Sequence, residues 1–363
     1  MDMNRRGFLT KTGFGAVAAV VSGSVSSIPA AAAEAGTKPG GQRLSIKQLQ
    51  AWEALQYGMF ISFGMSTYLG QELPDGKAPP GTYAPDKLDV DQWVSVVRDA
   101  GMKYAVLTAK HVAGHCLWPS AHTDYSVAHS GNTTDVIAAF IKACEKRGVK
   151  PGLYYCTWDN HHLFGSQTRT YSKRGFMETF PPTQQEDMPP YTTSLYQNFM
   201  TAQLTELLTQ YGPLAEVWID IPGELGWGYR TFLYHYLAQL QPDTVIMMNS
   251  GTPDSIQYNV AYAWPSDLMA IERGLPPETG YQKWRTIQQK EYYFPAEVCD
   301  TIGKEWFWVP NDPPRPDEQL LFTLQACQKR GVNLLLDVPP DKHGLIPDAY
   351  IQALLRLRKN ANL

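Results

Sequence analysis

Asp220 closes the apolar run Glu216-Val217-Trp218-Ile219-Asp220. A carboxylate set directly after such residues is costly to desolvate unless it has a partner or a task. It could cap a turn or a helix, or it could act as a nucleophile. A nucleophilic carboxylate paired with a second, protonated carboxyl group is the equipment for cleaving a glycosidic bond with retention. One group attacks the anomeric carbon; the other protonates the leaving oxygen and then activates water. Glu272, in Asp267-Leu268-Met269-Ala270-Ile271-Glu272-Arg273, and Glu297, in Tyr292-Tyr293-Phe294-Pro295-Ala296-Glu297-Val298-Cys299, both fit the second role. Apolar neighbours raise a carboxyl pKa and keep the proton an acid needs. Arg273 beside Glu272 would oppose that if the two pair, and either glutamate could instead sit in a surface ion pair.

His111 and His115 stand four apart, and His161-His162 form a second pair. Zinc ligation would need the first pair on one helix face with a third ligand. Gly114 and the preceding apolar run place them after a strand instead, so no metal is expected. A histidine at a strand end hydrogen-bonding a sugar hydroxyl fits better. Trp118, Trp158, Trp227, Trp264, Trp306 and Trp308 fall in expected loops or strand ends. Aromatic faces of this kind stack on the apolar faces of sugars, although a single Trp serves a core equally well.

The elements that must hold these groups alternate between strand-like runs and helical patterns, as in βα units. Strands are expected at 59–64, 104–108, 151–155, 216–220, 244–248 and 332–338. Helices are expected at 90–100, 134–147, 193–211, 230–240, 316–330 and from Pro347 onward. The strands are short and apolar, as when both faces are covered. Several run into polar residues: Lys110-His111, Trp158-Asp159, Asp220 and Asn249. In a parallel barrel, carboxyl ends of different strands converge on one site. An open doubly wound sheet shows the same alternation, but no glycine-rich phosphate loop follows a strand. The expected fold class is therefore α/β, a (β/α)8-like TIM barrel. Residues 265–311, rich in aromatics and poor in helical pattern, read as long loops over the barrel mouth.

The chain has 363 residues and a formal net charge of −4, with no basic run in its main part, which argues against a nucleic-acid partner. Asn4-Arg5-Arg6-Gly7-Phe8-Leu9, an apolar stretch from Gly13 to Val21 and Ala30-Ala31-Ala32-Ala33 have the three parts of a twin-arginine export signal. The apolar stretch is too short for a comfortable membrane span. The expected organisation is an export signal over 1–33, a flexible segment over 34–47 and a barrel over 48–363. The destination would be periplasmic or secreted, with no stable membrane insertion after cleavage. Five cysteines, an odd number with no Cys-x-x-Cys pair, read as buried thiols rather than a disulfide framework.

Tyr57-Gly58-Met59-Phe60-Ile61-Ser62-Phe63-Gly64 resembles the opening strand of family 29 glycoside hydrolases, the α-L-fucosidases. So do Asp99-Ala100-Gly101-Met102-Lys103-Tyr104 running on to Leu107-Thr108-Ala109-Lys110-His111, then Cys116-Leu117-Trp118-Pro119-Ser120, and Tyr211-Gly212-Pro213 before Val217-Trp218-Ile219-Asp220. Pro295-Ala296-Glu297-Val298 with Trp306-Phe307, and Asn333-Leu334-Leu335-Leu336 with Pro339-Pro340-Asp341, extend it to roughly 48–355. The resemblance implies a retaining exo-hydrolase for terminal α-L-fucose on glycans, with no metal or organic cofactor. It matches Asp220 to the nucleophile, His111 and Trp118 to sugar-binding positions and Glu72 to a Glu of the family's first loop. Tyr155, Trp158 and Ser62 complete the expected binding set. Glu272 is preferred as acid/base on its spacing from Asp220, and Glu297 matches a second carboxylate proposed for that role.

The chain also departs from the family pattern. Ser62 stands where the first strand usually has His, and Val112 and Ala113 follow His111 where a second His and a polar residue are usual. Lost polar contacts of about 1–2 kcal/mol each would weaken fucose binding unless others compensate. A related L-sugar such as an α-L-galactoside, or a catalytically silent glycan-binding protein, are the alternatives this raises. The chain is expected to lack the C-terminal β-sandwich common in the family.

Overall fold

The computed structural model describes residues 38–162, 192–250 and 258–363. The chain divides into Met1–Thr37 and Lys38–Leu363, and the described residues belong to the second unit. The expected export signal therefore lies outside the described residues.

Eight strands build the core. They are β1 Tyr57–Ile61, β2 Tyr104–Lys110, β3 Lys150–Cys156, β4 Glu216–Asp220, β5 Val245–Met248, β6 Met269–Glu272, β7 Ala296–Thr301 and β8 Asn333–Asp337. They pair side by side in the order β5-β4-β3-β2-β1-β8-β7-β6, every pair parallel. Between β5 and β6 the seam is closed by single bonds: the Asp267 N–H donates to the Ile246 carbonyl (2.9 Å) and the Met248 N–H to Ser266 Oγ (3.0 Å). The expected barrel is thus present and nearly closed.

The two-residue period of a strand sorts its side chains. Phe60, Val106, Tyr154, Trp218, Met247, Ala270, Cys299 and Leu335 form one cluster inside the barrel. Their neighbours Ile61, Leu107, Tyr155, Val217, Ile246 and Leu336 belong to a second cluster shared with the helices outside. That jacket comprises α2 Val90–Asp99, α3 Val136–Arg147, α4 Ser194–Gln210, α5 Trp227–Leu240, α6 Asp317–Arg330 and α7 Asp348–Ala361. Asp89 and Asp135 cap α2 and α3 by accepting from Gln92 N–H and Ala138 N–H, each at 2.9 Å. Trp93, Val94, Val96 and Val97 give α2 its buried face.

Two expectations change. Residues 265–311 are not all mouth loops, because β6 and β7 lie within them. β6 has only four residues, and the chain returns from it through an antiparallel hairpin, Trp284–Ile287 with Lys290–Tyr293, so no helical period marks the unit. This hairpin pairs with Lys38–Pro39, and the Gln42 side chain donates to the Tyr293 carbonyl. Its aromatics thus serve the amino-terminal end of the barrel. Residues 38–47, expected to be flexible, are fastened there as well. Arg43 donates to the Pro242 (2.7 Å) and Thr244 (2.6 Å) carbonyls and pairs with Asp267; Leu44 is buried; Ser45 caps α1, Ile46–Glu53. Leu49 and Trp52 of α1 close the floor, Trp52 Nε1 donating to Glu216 (3.1 Å).

Candidate active site

Residues on or just after β1 to β7 face a common pocket of about 390 Å³, counting its open mouth. Its walls are Phe60 and Ser62 from β1, Thr108 and His111 from β2 and its loop, Tyr154 from β3 and Trp218 with Asp220 from β4. Asn249 follows β5, Glu272 ends β6 and Cys299 comes from β7. Glu72 comes from the loop after β1, and Trp306 with Phe307 from the loop after β7. Carboxyl groups, an imidazole and aromatic rings in one pocket wall are the lining a sugar ring calls for.

Asp220 is the last residue of β4, inward by the same parity as Trp218. Ile221 follows it with φ 54°, a strained left-handed conformation for a β-branched residue. The Thr157 hydroxyl holds this turn, donating to the carbonyls of Asp220 (2.9 Å) and Ile221 (2.6 Å). Tyr154 donates its hydroxyl to Asp220 Oδ2 (2.6 Å) and Asn249 its amide to Oδ1 (2.7 Å). Burial raises the Asp220 pKa above the usual aspartate range, and the bonds from Tyr154, Asn249 and the Ile221 backbone oppose that rise.

Glu272 ends β6 and is likewise followed by a non-glycine residue at positive φ, Arg273 at 49°. The Asn249 amide that serves Asp220 is also 3.4 Å from Glu272 Oε2. One nitrogen thus bridges the two carboxyl groups, whose nearest such oxygens are no more than about 6 Å apart. The shared amide keeps the two carboxyl groups close enough to act on one sugar. Burial, then the negative charge of Asp220, push the Glu272 pKa up to about 7, with Asn249 and Arg273 pulling the other way. Arg273 is turned aside: its guanidinium stacks over Trp306 (4.8 Å) and donates to the Lys304 carbonyl (2.9 Å). The pocket thus holds one carboxyl group supported by three donors and one that keeps its proton near neutrality, the division of labour two-carboxylate catalysis requires.

His111 packs against Phe307 (4.8 Å between ring centres) and stacks on Tyr154 (5.7 Å). Burial lowers its pKa to about 3, a bond with the Glu72 backbone opposing the shift, so the imidazole is neutral. A neutral imidazole in a pocket wall can donate to a hydroxyl or accept from one. His115 points elsewhere, with Nε2 2.8 Å from Ser130 Oγ.

Of the residues expected from sequence, Asp220, Glu272, His111, Glu72 and Ser62 meet in this pocket, whereas Glu297, Trp118, Tyr155 and Trp158 do not line it. Glu297 is the second residue of β7, in register with Ala270 and Asn333, two positions below Cys299, which is level with Glu272. It is buried in the barrel floor, where Tyr104 Oη (2.6 Å) and Trp218 Nε1 (3.2 Å) donate to it. Its apolar setting is real, but strand register puts it out of reach of the pocket. Tyr155 has the outward parity and donates to Gln203 of α4 (2.8 Å). Trp118 is buried in the outer cluster and donates to Glu206 (2.8 Å). Trp158 donates to Asn160 (2.8 Å), which in turn holds the Pro74 carbonyl of the first loop (2.8 Å).

Tyr154, Trp218 and Phe60 were not expected in the site. The alternation that makes Asp220 inward also makes Trp218 inward, and register carries it to β3, where Cys156 pairs with Asp220 and Tyr154 with Trp218. Asn249 was visible as a strand-end polar residue, but its bridging position was not.

The α-L-fucosidase family model matches residues 77–360. Arabidopsis thaliana α-L-fucosidase 1 is 33% identical over 335 residues, covering 85% of this chain and 58% of its own length. Rat plasma α-L-fucosidase is 25% identical over 358 residues, covering 88% of this chain and 70% of the rat protein. Among solved structures, α-L-fucosidase isoenzyme 1 from Paenibacillus thiaminolyticus superposes with a TM-score of 0.68 at 25% identity, over 87% of this chain and 75% of that one. The chain thus spans less than two thirds of the plant relative, and all but its first part falls within the matched family region. On fold, pocket and these matches together, the chain belongs to the α-L-fucosidase family.

Proposed function

We propose that this chain is a retaining exo-acting hydrolase that releases terminal α-L-fucose from glycans. The observation that carries the reading is the Asp220–Asn249–Glu272 bridge in this pocket. Asp220 is the nucleophile: its carboxylate attacks the anomeric carbon and forms a glycosyl ester as the C–O bond to the aglycone breaks. Tyr154 and Asn249 keep it ionised and aligned. Glu272 donates its proton to the departing oxygen, then takes a proton from the water that opens the ester, which restores both groups. His111, Ser62 and Glu72 face the sugar, and Trp218 and Trp306 offer ring faces to its apolar side.

Asp220→Asn should lower kcat on an aryl α-L-fucoside by at least about 10³-fold while leaving the fold intact. Turnover by this variant at near wild-type rate, or a wild type inert on aryl L-glycosides, would sink the reading. Comparing aryl α-L-fucoside with α-L-galactoside fixes the sugar, and fucoside preference is the expected outcome.

We further place the protein outside the cytoplasm, in the periplasm or secreted, on the strength of the twin arginines and the Ala-rich end of the first 33 residues. Among the described residues no helix is long and apolar enough to cross a membrane.

A further inference from the structure

Asp337 is the last residue of β8. Asn333, Leu335 and Asp337 share the inward parity: Asn333 bonds the Trp52 carbonyl on the floor and Leu335 belongs to the inner cluster. Its register partners are Phe60 of β1 and Thr301 of β7, so it stands between two strands whose inner faces line the pocket. The residue is fully buried, and neither carboxyl oxygen has a partner in hydrogen-bond geometry. Ser62 faces it with both its hydroxyl and its backbone N–H. Burial pushes the Asp337 pKa well above the usual aspartate range, Ser62 and the Arg273 charge opposing this. A buried carboxyl group with both oxygens unmatched costs several times what a satisfied one does. It is retained where something else completes the bonding.

Ser62 is the pocket-lining neighbour through which that can happen. A serine hydroxyl donates once and accepts twice. Donating to Asp337, it turns its lone pairs to the cavity, and a hydroxyl of the sugar can donate to them. Ser62 is short, so the cavity reaches down to it.

We propose that Ser62 and Asp337 form a specificity-determining pair in which Asp337, as a positioning residue, fixes the Ser62 hydroxyl to accept a hydrogen bond from one ring hydroxyl of the bound sugar. This rests on the fucosidase reading and adds to it a polar relay at the pocket floor, on the side opposite the Asp220–Glu272 pair in strand order.

The experiment measures kcat/KM on 4-nitrophenyl α-L-fucoside and its 2-, 3- and 4-deoxy analogues. The proteins are the wild type, Ser62→Ala, Asp337→Asn and Asp337→Leu, with thermal unfolding followed in parallel. One analogue should be penalised about tenfold or more beyond the others in the wild type, because it leaves Ser62 unmatched. Ser62→Ala and Asp337→Leu should remove that extra penalty while the remaining penalties persist. Asp337→Asn, which can still accept from Ser62, should keep most of it. Should Asp337→Leu not fold, Ser62→Ala and Asp337→Asn carry the comparison. A wild type that turns over the fucoside but whose variants lose the same factor on every analogue overturns this assignment alone. A wild type with neither turnover nor calorimetric binding of L-fucose overturns the fucosidase reading itself.

Discussion

Asn249 does the most with the fewest atoms. Its amide touches both carboxyl groups, holds down the pKa of each and fixes their separation. Asn249→Ala should therefore cost about 10²-fold in kcat, the usual loss when one preorganised donor leaves a charge-bearing site. The pH profile gives a sharper test. Glu272 must be protonated to act as the acid, so kcat/KM should fall as pH rises through about 7. Without the Asn249 amide the Glu272 proton is held more tightly, and the alkaline limb should move to higher pH. A limb that stays in place in Asn249→Ala would mean that Glu272 is not the group titrating.

Strand β7 separates two glutamates that look alike in sequence. Glu297 occupies its lower half beside Glu216 of β4, in the barrel floor. Burial raises its pKa to about 7 against bonds from Tyr104, Trp218 and Glu216, while Glu216, also buried, is pushed higher by the Glu297 charge. Both folded-state values lie above the unfolded one, so the native state holds extra protons. The resulting stability is complete below the ordinary glutamate range and is lost as pH rises from there through about 7. The wild type should melt several degrees lower at pH 8 than at pH 5 if this pair dominates. Glu297→Gln should flatten that dependence while fucoside turnover persists, since the glutamine oxygen can still accept from Trp218 Nε1. A collapse of turnover in Glu297→Gln with the melting profile unchanged would return Glu297 to the catalytic machinery. The loop after β3 shows a different device. Lys110 and Asp159 are fully buried and 2.7 Å apart, with Asp159 Oδ1 also accepting from the His161 (3.0 Å) and His162 (2.7 Å) backbones. This network backs the turn that presents His111.

For the barrel as a whole, the critical line is the seam between β5 and β6, which carry Asn249 and Glu272 at their ends. Asp267 fastens it from below, accepting from Ile246 N–H (2.7 Å), Tyr234 and Arg43 while its own N–H meets the Ile246 carbonyl. Asp267→Ala strands a largely buried Arg43 and frees the seam. It should destabilise the fold by about 3–5 kcal/mol, the usual result of removing one partner of a buried ion pair. It should also lower kcat well below the melting temperature, because the two strands flanking the seam carry the bridge between the carboxyl groups. Thermal unfolding and rates at 25 °C check both parts, and full activity in a destabilised variant would uncouple seam from site.

The sequence by itself determined the fold class, because six of the eight strands read as short apolar runs alternating with helical segments, the pattern of βα units. It also pointed to Asp220 and His111, since a polar residue that ends an apolar parallel strand faces the carboxyl end of the barrel. It could not show β6 and β7, whose connection is a hairpin without helical period, and so it assigned Trp284 and its neighbours to the mouth instead of the floor. It preferred Glu272 to Glu297 on family spacing alone, and it named Tyr155 where Tyr154 lines the pocket. Those choices depend on strand stagger and on which face of the strand turns inward, both fixed only when eight strands pair around a closed ring. A shift of one residue exchanges pocket for helix layer, and a shift of two moves a carboxyl group from the mouth toward the floor.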